Sequence, residues 1–355
     1  MKILLISNAW KGGGVGEYAF EMYRHLPNFG IDIEVVTLNK WSEEPKLHKI
    51  PKFPRKRIIW PIPYILNQLQ KLMRIKYDSI WTMGFPESLG PLLIGESFVL
   101  TKHGINTWTE ANYFRRKIWD AIINKSKKII VPSYTLKKKL FKTCKGVSDK
   151  IEVIHHGVNH DVFHPDEQAR VKLRLRLGYK DNDFVIRYAG RVNKSKGIYE
   201  LIYAYLVAKK KVEDLKLLII GTIRDHKIKV WGEELDVKFY GPVPYEKIPG
   251  FFNVFDVFTS LSHGEAFGLT LVEAMACGNP VVCTDIPAYK EICNDSVMFV
   301  PLKCAKAVSD AWIQLYESES LRKELSIKAR KRASAFDWNK TAKYHAKIFR
   351  ELSGE

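Results

Sequence analysis

The chain lacks any run of about 18 uncharged apolar residues, which removes the integral membrane proteins whose spanning helices need about 20. Its five cysteines, Cys144, Cys277, Cys283, Cys293 and Cys304, contain no CxxC pair. Neither a zinc site nor a disulfide framework is indicated, and a reducing cytoplasm is the expected compartment. The phosphate-binding sequence GxxxxGK[ST] is absent, GxGxxG does not occur in the required register, and no acidic residue ends the second strand-like run. P-loop and NAD sites therefore lose ground. No Asp-x-Asp pair stands in a loop suited to a ligand, so a metal bridging a diphosphate is not required and no metal ligands are expected. Helix-turn-helix and aromatic RNA-binding signatures are missing as well, and no nucleic-acid partner is expected.

Acidic residues are also scarce, 39 against 57 Lys and Arg, for a net charge of +18. Residues 51–150 hold 20 Lys and Arg against 6 Asp and Glu. By charge alone an anionic membrane surface, nucleic acid or a polyanionic substrate would suit that third of the chain, and so would a merely solubilising lysine-rich face. Basic residues there alternate with apolar and aromatic ones, as in PRKRIIWPIPYILNQLQKLMRIKYDSIW and NYFRRKIWDAIINKSKK. Such interleaving fits reversible contact with anionic headgroups, through Arg55, Lys56 and Arg57 among others. The opposing possibility is that Trp60, Ile62, Tyr64 and Leu66 pack into a core.

What is present is a twofold series of short β-branched apolar runs separated by helical stretches. KILLIS (2–7), IDIEVVTL (31–38), SIWTM (79–83), SFVLTKH (97–103), KIIVPS (128–133) and IEVIHHG (151–157) form the first. DFVIRYAGR (183–191), KLLIIGT (216–222), VKFYGP (237–242), DVFTSLS (256–262), NPVVCTD (279–285) and MFVPL (298–302) form the second. The opening MKILLISNAW reads as a buried first strand rather than a signal peptide. At 355 residues the chain has room for two domains. The alternation predicts two α/β, doubly wound parallel-sheet domains, 1–165 and 166–336, with an amphipathic helix at 337–355 packing back on the first.

Ligands of open parallel sheets sit at the carboxyl ends of strands, where helix N-termini also point. Three such ends stand out. SNAWKGGGVGEY (7–18) brings a glycine-rich turn, with Gly14 and Val15, to a helix start. GRVNKSKG (190–197) places Arg191 and Lys196 on one loop, where both cations can converge on a diphosphate. GEAFGLTLVEAMACGNPVV (264–282) sets Glu265 and Glu273 apart by seven residues. Between them the backbone N–H groups of Phe267, Gly268 and Leu269 form a helix start suited to phosphate. A phosphate-binding helix start, a carboxylate for each flanking sugar and two opposing cations describe a site for a nucleoside diphosphate sugar.

These motifs, in this order, resemble the retaining family 4 glycosyltransferases (glycosyl transferases group 1) of GT-B fold. VPSYTLKKKL, IHHGVNHDVFHP, LLIIGT, FYGPVPYEKIPGFFNVFDVF and the terminal FDW helix extend the resemblance over nearly the whole chain. It implies two Rossmann-like domains facing across a cleft, the second holding the donor and the first the acceptor. It also implies roles: Arg191 and Lys196 on the diphosphate and its developing charge, Glu265 by the transferred sugar, and Glu273 on the ribose. Gly14 and Val15 would approach the phosphate and His103 the reaction centre, while Val243 would contact the base through its backbone and Thr222 the nucleotide. HHGVNHD and TIRDHK depart from the family's commoner turns.

The expected activity is transfer of a hexose, from UDP-glucose before GDP-mannose, to a glycan or lipid-linked glycan hydroxyl, on the cytoplasmic side and with peripheral membrane contact. A soluble-acceptor synthase of the sucrose or trehalose type and a non-catalytic sugar-nucleotide-binding protein are the alternatives.

Overall fold

The computed structural model describes residues 1–10, 13–37, 47–49, 61–104, 113–144, 146–243 and 247–354, with backbone alone at 47–49 and 61–64. The described chain divides into two compact units, Met1–Gly157 with Trp338–Glu355, and Val158–Asp337.

In the first unit β1 (Lys2–Ser7), β2 (Asp32–Thr37), β3 (Leu47–Lys49), β4 (Ser79–Thr82), β5 (Phe98–Thr101), β6 (Ser126–Val131) and β7 (Ile151–Val153) form one parallel sheet. Its order is β3-β2-β1-β4-β5-β6-β7. Ile3, Leu4, Leu5 and Ile6 are all fully buried. Consecutive burial without alternation means that both faces are covered, which is why the strand is a continuous apolar run. β3 is the one described strand with no counterpart among the expected runs. Three residues on a sheet edge need no apolar pattern.

The second unit holds β8 (Phe184–Ala189), β9 (Leu215–Ile220), β10 (Lys238–Tyr240), β11 (Val257–Ser260), β12 (Val281–Thr284) and β13 (Met298–Val300). They are ordered β10-β9-β8-β11-β12-β13, again parallel. Both sheets thus reverse their strand order beside their first strand, the doubly wound arrangement in which ligand crevices open at strand ends.

The chain enters the second unit earlier than the expected boundary at Pro165. Val158 pairs with Asp337, His160 Nε2 donates to the Phe336 carbonyl at 2.9 Å, and Phe163 is buried in the second unit's core. The entry and exit segments are therefore tied side by side. The last helix, Trp338–Ser353, belongs to the first unit. Trp338, Thr341, Ala342, His345, Ala346 and Phe349 form its buried stripe at helical spacing. Phe349 meets Trp81 at a 5.3 Å ring separation, and the Thr341 hydroxyl donates to the His155 carbonyl at 2.9 Å.

Glu87 lies just past β4, where the first sheet reverses. It is only 2 % exposed; Oε1 accepts the Asn8 N–H at 3.1 Å, and Oε2 has no partner among the described residues. Burial pushes its carboxyl up to about 7. The folded value exceeds the unfolded one, so the folded state binds the extra proton and loses stability as pH rises from the ordinary carboxylate range through 7. The loss is on the order of 3 kcal/mol for such a shift. Glu87→Gln keeps the acceptor for Asn8 and removes the titration. Its unfolding temperature should exceed that of the unaltered chain by a margin that widens from pH 5 to about pH 8. A margin independent of pH would contradict the buried-carboxyl assignment.

Candidate active site

The second unit's candidate motifs meet at the strand-order reversal of its sheet. β8 and β11 are hydrogen-bonded neighbours, and their carboxyl ends release the loops 190–197 and 261–268 at one place. In the first loop Val192 is fully buried and pairs with Ile223, which leaves Arg191 exposed. No described ion pair engages Arg191. Lys194–Lys196 then form a single 3-10 turn, closed by Gly197 in the left-handed region at φ 69°. A Cβ on Gly197 would lie 2.2 Å from the Leu261 carbonyl oxygen. Only glycine allows this turn to press directly on the second loop.

Two contacts join the two loops beyond that close approach, and a third ties the second loop to the helix that follows the first. Lys196 Nζ donates to Glu265 Oε1, which also accepts the Ser262 hydroxyl at 2.8 Å. The His263 backbone N–H donates to the Ser195 carbonyl at 3.0 Å. The His263 ring, through Nε2, pairs with Glu200 Oε1 at 3.0 Å from the helix Ile198–Lys209. Lys196 and Glu265 are both largely withdrawn from water, so their attraction exceeds that of an exposed pair.

Past Glu265 the helix Leu269–Ala276 starts at Gly268, whose φ of 104° excludes other residues, and no side chain caps it. A Cβ at Gly268 would meet the Tyr289 ring at 2.8 Å; Tyr289 is itself held by a 2.6 Å hydroxyl hydrogen bond with Ser260. Uncapped N–H groups and the helix dipole favour an anion here. Arg191 and Lys194 are both exposed on the neighbouring loop.

Glu273 is buried, at 4 % exposure, within electrostatic reach of Arg187. Arg187 sits fully buried in the middle of β8, its guanidinium 3.9 Å from the Phe252 ring centre and 4.8 Å from that of Phe255. Burial lowers its pKa to about 9, opposed by Cys277 and Glu273, so it keeps its charge at neutral pH. Thr222 is exposed just past β9, its carbonyl accepting the Val192 N–H at 3.0 Å, and Val243 lies half-buried past β10.

The remaining candidates belong to the first unit. Gly14 is exposed and Val15 half-buried, but they lie inside the first turn of the helix Gly13–His25 rather than in the loop before it. Two glycines do not prevent helix formation when Tyr18, Ala19 and Met22 bury its inner face. His103, half-buried past β5, packs edge-on against Tyr18 at 4.7 Å and lies 5.3 Å from His156. Its Nε2 is 3.4 Å from Met83 Sδ, and Nδ1 has no described partner. Burial, helped by Lys102 and His345, lowers its pKa to about 3. At neutral pH it is an uncharged imidazole.

Comparison with known proteins decides what this arrangement belongs to. The family model for Glycosyl transferases group 1 matches residues 170–332, and that for Glycosyltransferase Family 4 matches residues 12–162. The chain belongs to the family 4 glycosyltransferases. It is 23% identical over 385 residues to a D-inositol 3-phosphate glycosyltransferase of Paenarthrobacter aurescens, covering 97% of this chain and 94% of that one. A Staphylococcus aureus capsular polysaccharide biosynthesis glycosyltransferase, CapM, is 29% identical over 243 residues, 64% of this chain and 63% of its own. Among solved structures, sucrose-phosphate synthase from Thermosynechococcus elongatus superposes with a TM-score of 0.84 at 20% identity over 99% of each chain. Anabaena Alr3699/HepE, solved with UDP and glucose, gives a TM-score of 0.84 at 18% identity over 99% of this chain and 100% of its own. These neighbours establish the GT-B fold, and the chain is a glycosyltransferase enzyme.

Within this family 4 enzyme, the second unit brings Lys196, Glu265 and the Phe267–Leu269 helix start together, with Arg191 on the same loop as Lys196. Glu273 is buried, one turn further along the same helix. Ser262, His263, Glu200 and Arg187 were not among the expected site residues. Ser262 and His263 flank Glu265 in the loop, and Arg187 interrupts an apolar strand, which is a visible signal. Glu200 is distant in sequence and carries none.

The close approach at Gly197 yields a direct test. Gly197→Ala places a side chain at positive φ and against a backbone carbonyl, for a loss on the order of 2–4 kcal/mol. The unfolding transition should drop by several degrees, of order 5 °C. A change below about one degree would mean that the loops are not pressed together.

Proposed function

We propose that this glycosyltransferase moves a hexose from a nucleoside diphosphate sugar, UDP-glucose before GDP-mannose, to a hydroxyl of a glycan or lipid-linked glycan, with retention of anomeric configuration. The observation that carries this reading is the paired Lys196–Glu265 beside the unengaged Arg191 at an uncapped helix start. The HepE structure with UDP and glucose supports the donor class.

In this reading a bound diphosphate takes Lys196 from Glu265 and adds Arg191 and the helix N–H groups. The carboxylate then accepts hydroxyl protons of the transferred sugar. As the bond between the anomeric carbon and the diphosphate oxygen breaks, negative charge grows on the leaving diphosphate, where both cations stand. The acceptor oxygen bonds to the anomeric carbon and its proton passes to the departing phosphate. His103, uncharged, exchanges hydrogen bonds with a sugar hydroxyl rather than adding a cation. Glu273 takes the ribose hydroxyls, while Gly14 and Val15 approach the phosphate and Thr222 and Val243 the nucleoside.

A thermal-shift screen of UDP-, GDP- and ADP-sugars identifies the donor. With that donor's nucleoside diphosphate, Arg191→Ala should weaken binding by about 1.5–3 kcal/mol, the scale of a charge-assisted contact. Hydrolysis of the donor should persist in EDTA, because side-chain cations and the helix start neutralise the diphosphate. Unchanged affinity in Arg191→Ala, or a loss in EDTA restored by Mn²⁺, would contradict this account of the charge.

The acceptor reading rests on the first unit. Helix Leu89–Leu93 packs against both Pro61–Arg74 and Tyr113–Lys125, and the three expose Leu66, Met73, Leu93, Tyr113 and Phe114. Leu66 thus stays out of the core; Arg55, Lys56, Arg57 and Trp60, and the side chains of Ile62 and Tyr64, lie outside the described residues. No described helix is long and apolar enough to cross a membrane. An apolar and basic face of this kind suits reversible contact with the cytoplasmic leaflet and a lipid-linked acceptor. The protein should sediment with anionic vesicles at low salt and be released at high salt. Retention in the supernatant at low salt would favour a soluble acceptor of the sucrose or trehalose type.

A further inference from the structure

The Lys196–Glu265 pair cannot hold the two loops together while the donor is bound, if the diphosphate takes the lysine as the proposed function requires. Something else must then keep Glu265 in register with Arg191 and Lys196. The described structure offers a second connection that leaves both of those groups free. His263 is two residues before Glu265 and is gripped twice by the other side, its backbone N–H by the Ser195 carbonyl at 3.0 Å and its ring by Glu200 at 3.0 Å.

The two anchors differ in stiffness. Ser195 lies in the cation loop itself, whereas Glu200 projects from the first turn of the helix Ile198–Lys209, whose Ile198, Leu201 and Ile202 are fully buried. The ring contact therefore references the carboxylate loop to the rigid core rather than to another loop. Both side chains are largely withdrawn from water, at 21% exposure for His263 and 17% for Glu200. Glu200 Oε2 is buried with no partner among the described residues, so the imidazole supplies the one described hydrogen bond to that carboxylate. Removing the ring leaves a half-buried charge bare, and the carboxylate must seek water by shifting.

We propose that Glu200 and His263 form a positioning clasp, which holds the Glu265 loop against the cation loop when donor binding opens the Lys196–Glu265 pair. Neither residue touches the diphosphate in this account. Their loss disturbs the geometry of the transferred sugar, and with it turnover, more than the affinity for the nucleotide.

The test combines a ligand-free and a catalytic measurement on the full chain. In His263→Ala, amide hydrogen exchange of the ligand-free protein should speed up in both 193–197 and 262–268, while the rest of the second unit keeps its protection. Donor hydrolysis should fall by about tenfold or more in kcat, with UDP affinity within about twofold of the unaltered chain. His263→Gln retains an N–H that can reach Glu200 and should recover most of the turnover. Glu200→Ala should match His263→Ala, and the double variant should be no worse than either. Unchanged exchange in the two loops, a turnover within about twofold in an active protein, or a parallel loss of UDP affinity would each overturn the clasp. Failure of the function reading shows elsewhere: the unaltered chain would bind and hydrolyse none of the sugar nucleotides, whereas the exchange measurement judges the clasp without any ligand.

Discussion

The ion pair between Lys196 and Glu265 is the contact on which the organisation of the second unit converges. Its partners come from two loops 69 residues apart in sequence. They meet because β8 and β11 are neighbours at the one place where the strand order turns back. Gly197 lets the first loop lie on the Leu261 carbonyl, and Gly268 lets the second turn into its helix beside Tyr289. Each glycine is required by a backbone angle and by a close approach together. The pair also sets the charge of the site. Glu265 neutralises one cation, whereas Arg191 and the helix start remain open to an anion. Binding an anionic donor can therefore proceed by exchange of partners rather than by exposing a bare buried charge.

Burial governs the first unit in a different way. Tyr18, His103, His156 and His345 pack among Trp81 and Trp338, and burial lowers the pKa of all three imidazoles. His345 shows how a neutral ring is accommodated. Its Nδ1–H donates to the Thr341 carbonyl at 2.7 Å, so Nε2 is left to accept the Tyr18 hydroxyl. The last helix thereby ties the chain's end to the helix that follows β1. Among these buried rings the hydrogen bonding is between uncharged groups.

Strand runs such as KILLIS and KLLIIGT announced the parallel sheets because two-sided burial removes alternation, a pattern that survives in sequence. The edge strand Leu47–Lys49 did not, since its pairing is decided by the neighbouring strand and not by its own residues. The entry to the second unit was displaced from Pro165 for a similar reason. Proline marks a break in local structure, but the unit begins where Val158 finds Asp337, a contact between distant positions. Arg191, Lys196 and Glu265 were legible because charge and glycine stand together at strand ends. The burial of Glu273 was not, because one turn of helix separates an exposed rim from the core. The Glu200–His263 contact depends on two loops meeting in space, and no local pattern reports it.

In the proposed reaction Lys196 changes partner, so that Glu265 serves the transferred sugar and not the nucleotide. Glu265→Gln tests it most directly when UDP affinity by calorimetry and donor hydrolysis are measured on the same protein. The account predicts a hydrolysis loss of about tenfold or more with UDP binding unchanged or tighter, because the lysine is released from its carboxylate. Equal losses in binding and hydrolysis would contradict it and assign Glu265 to the nucleotide.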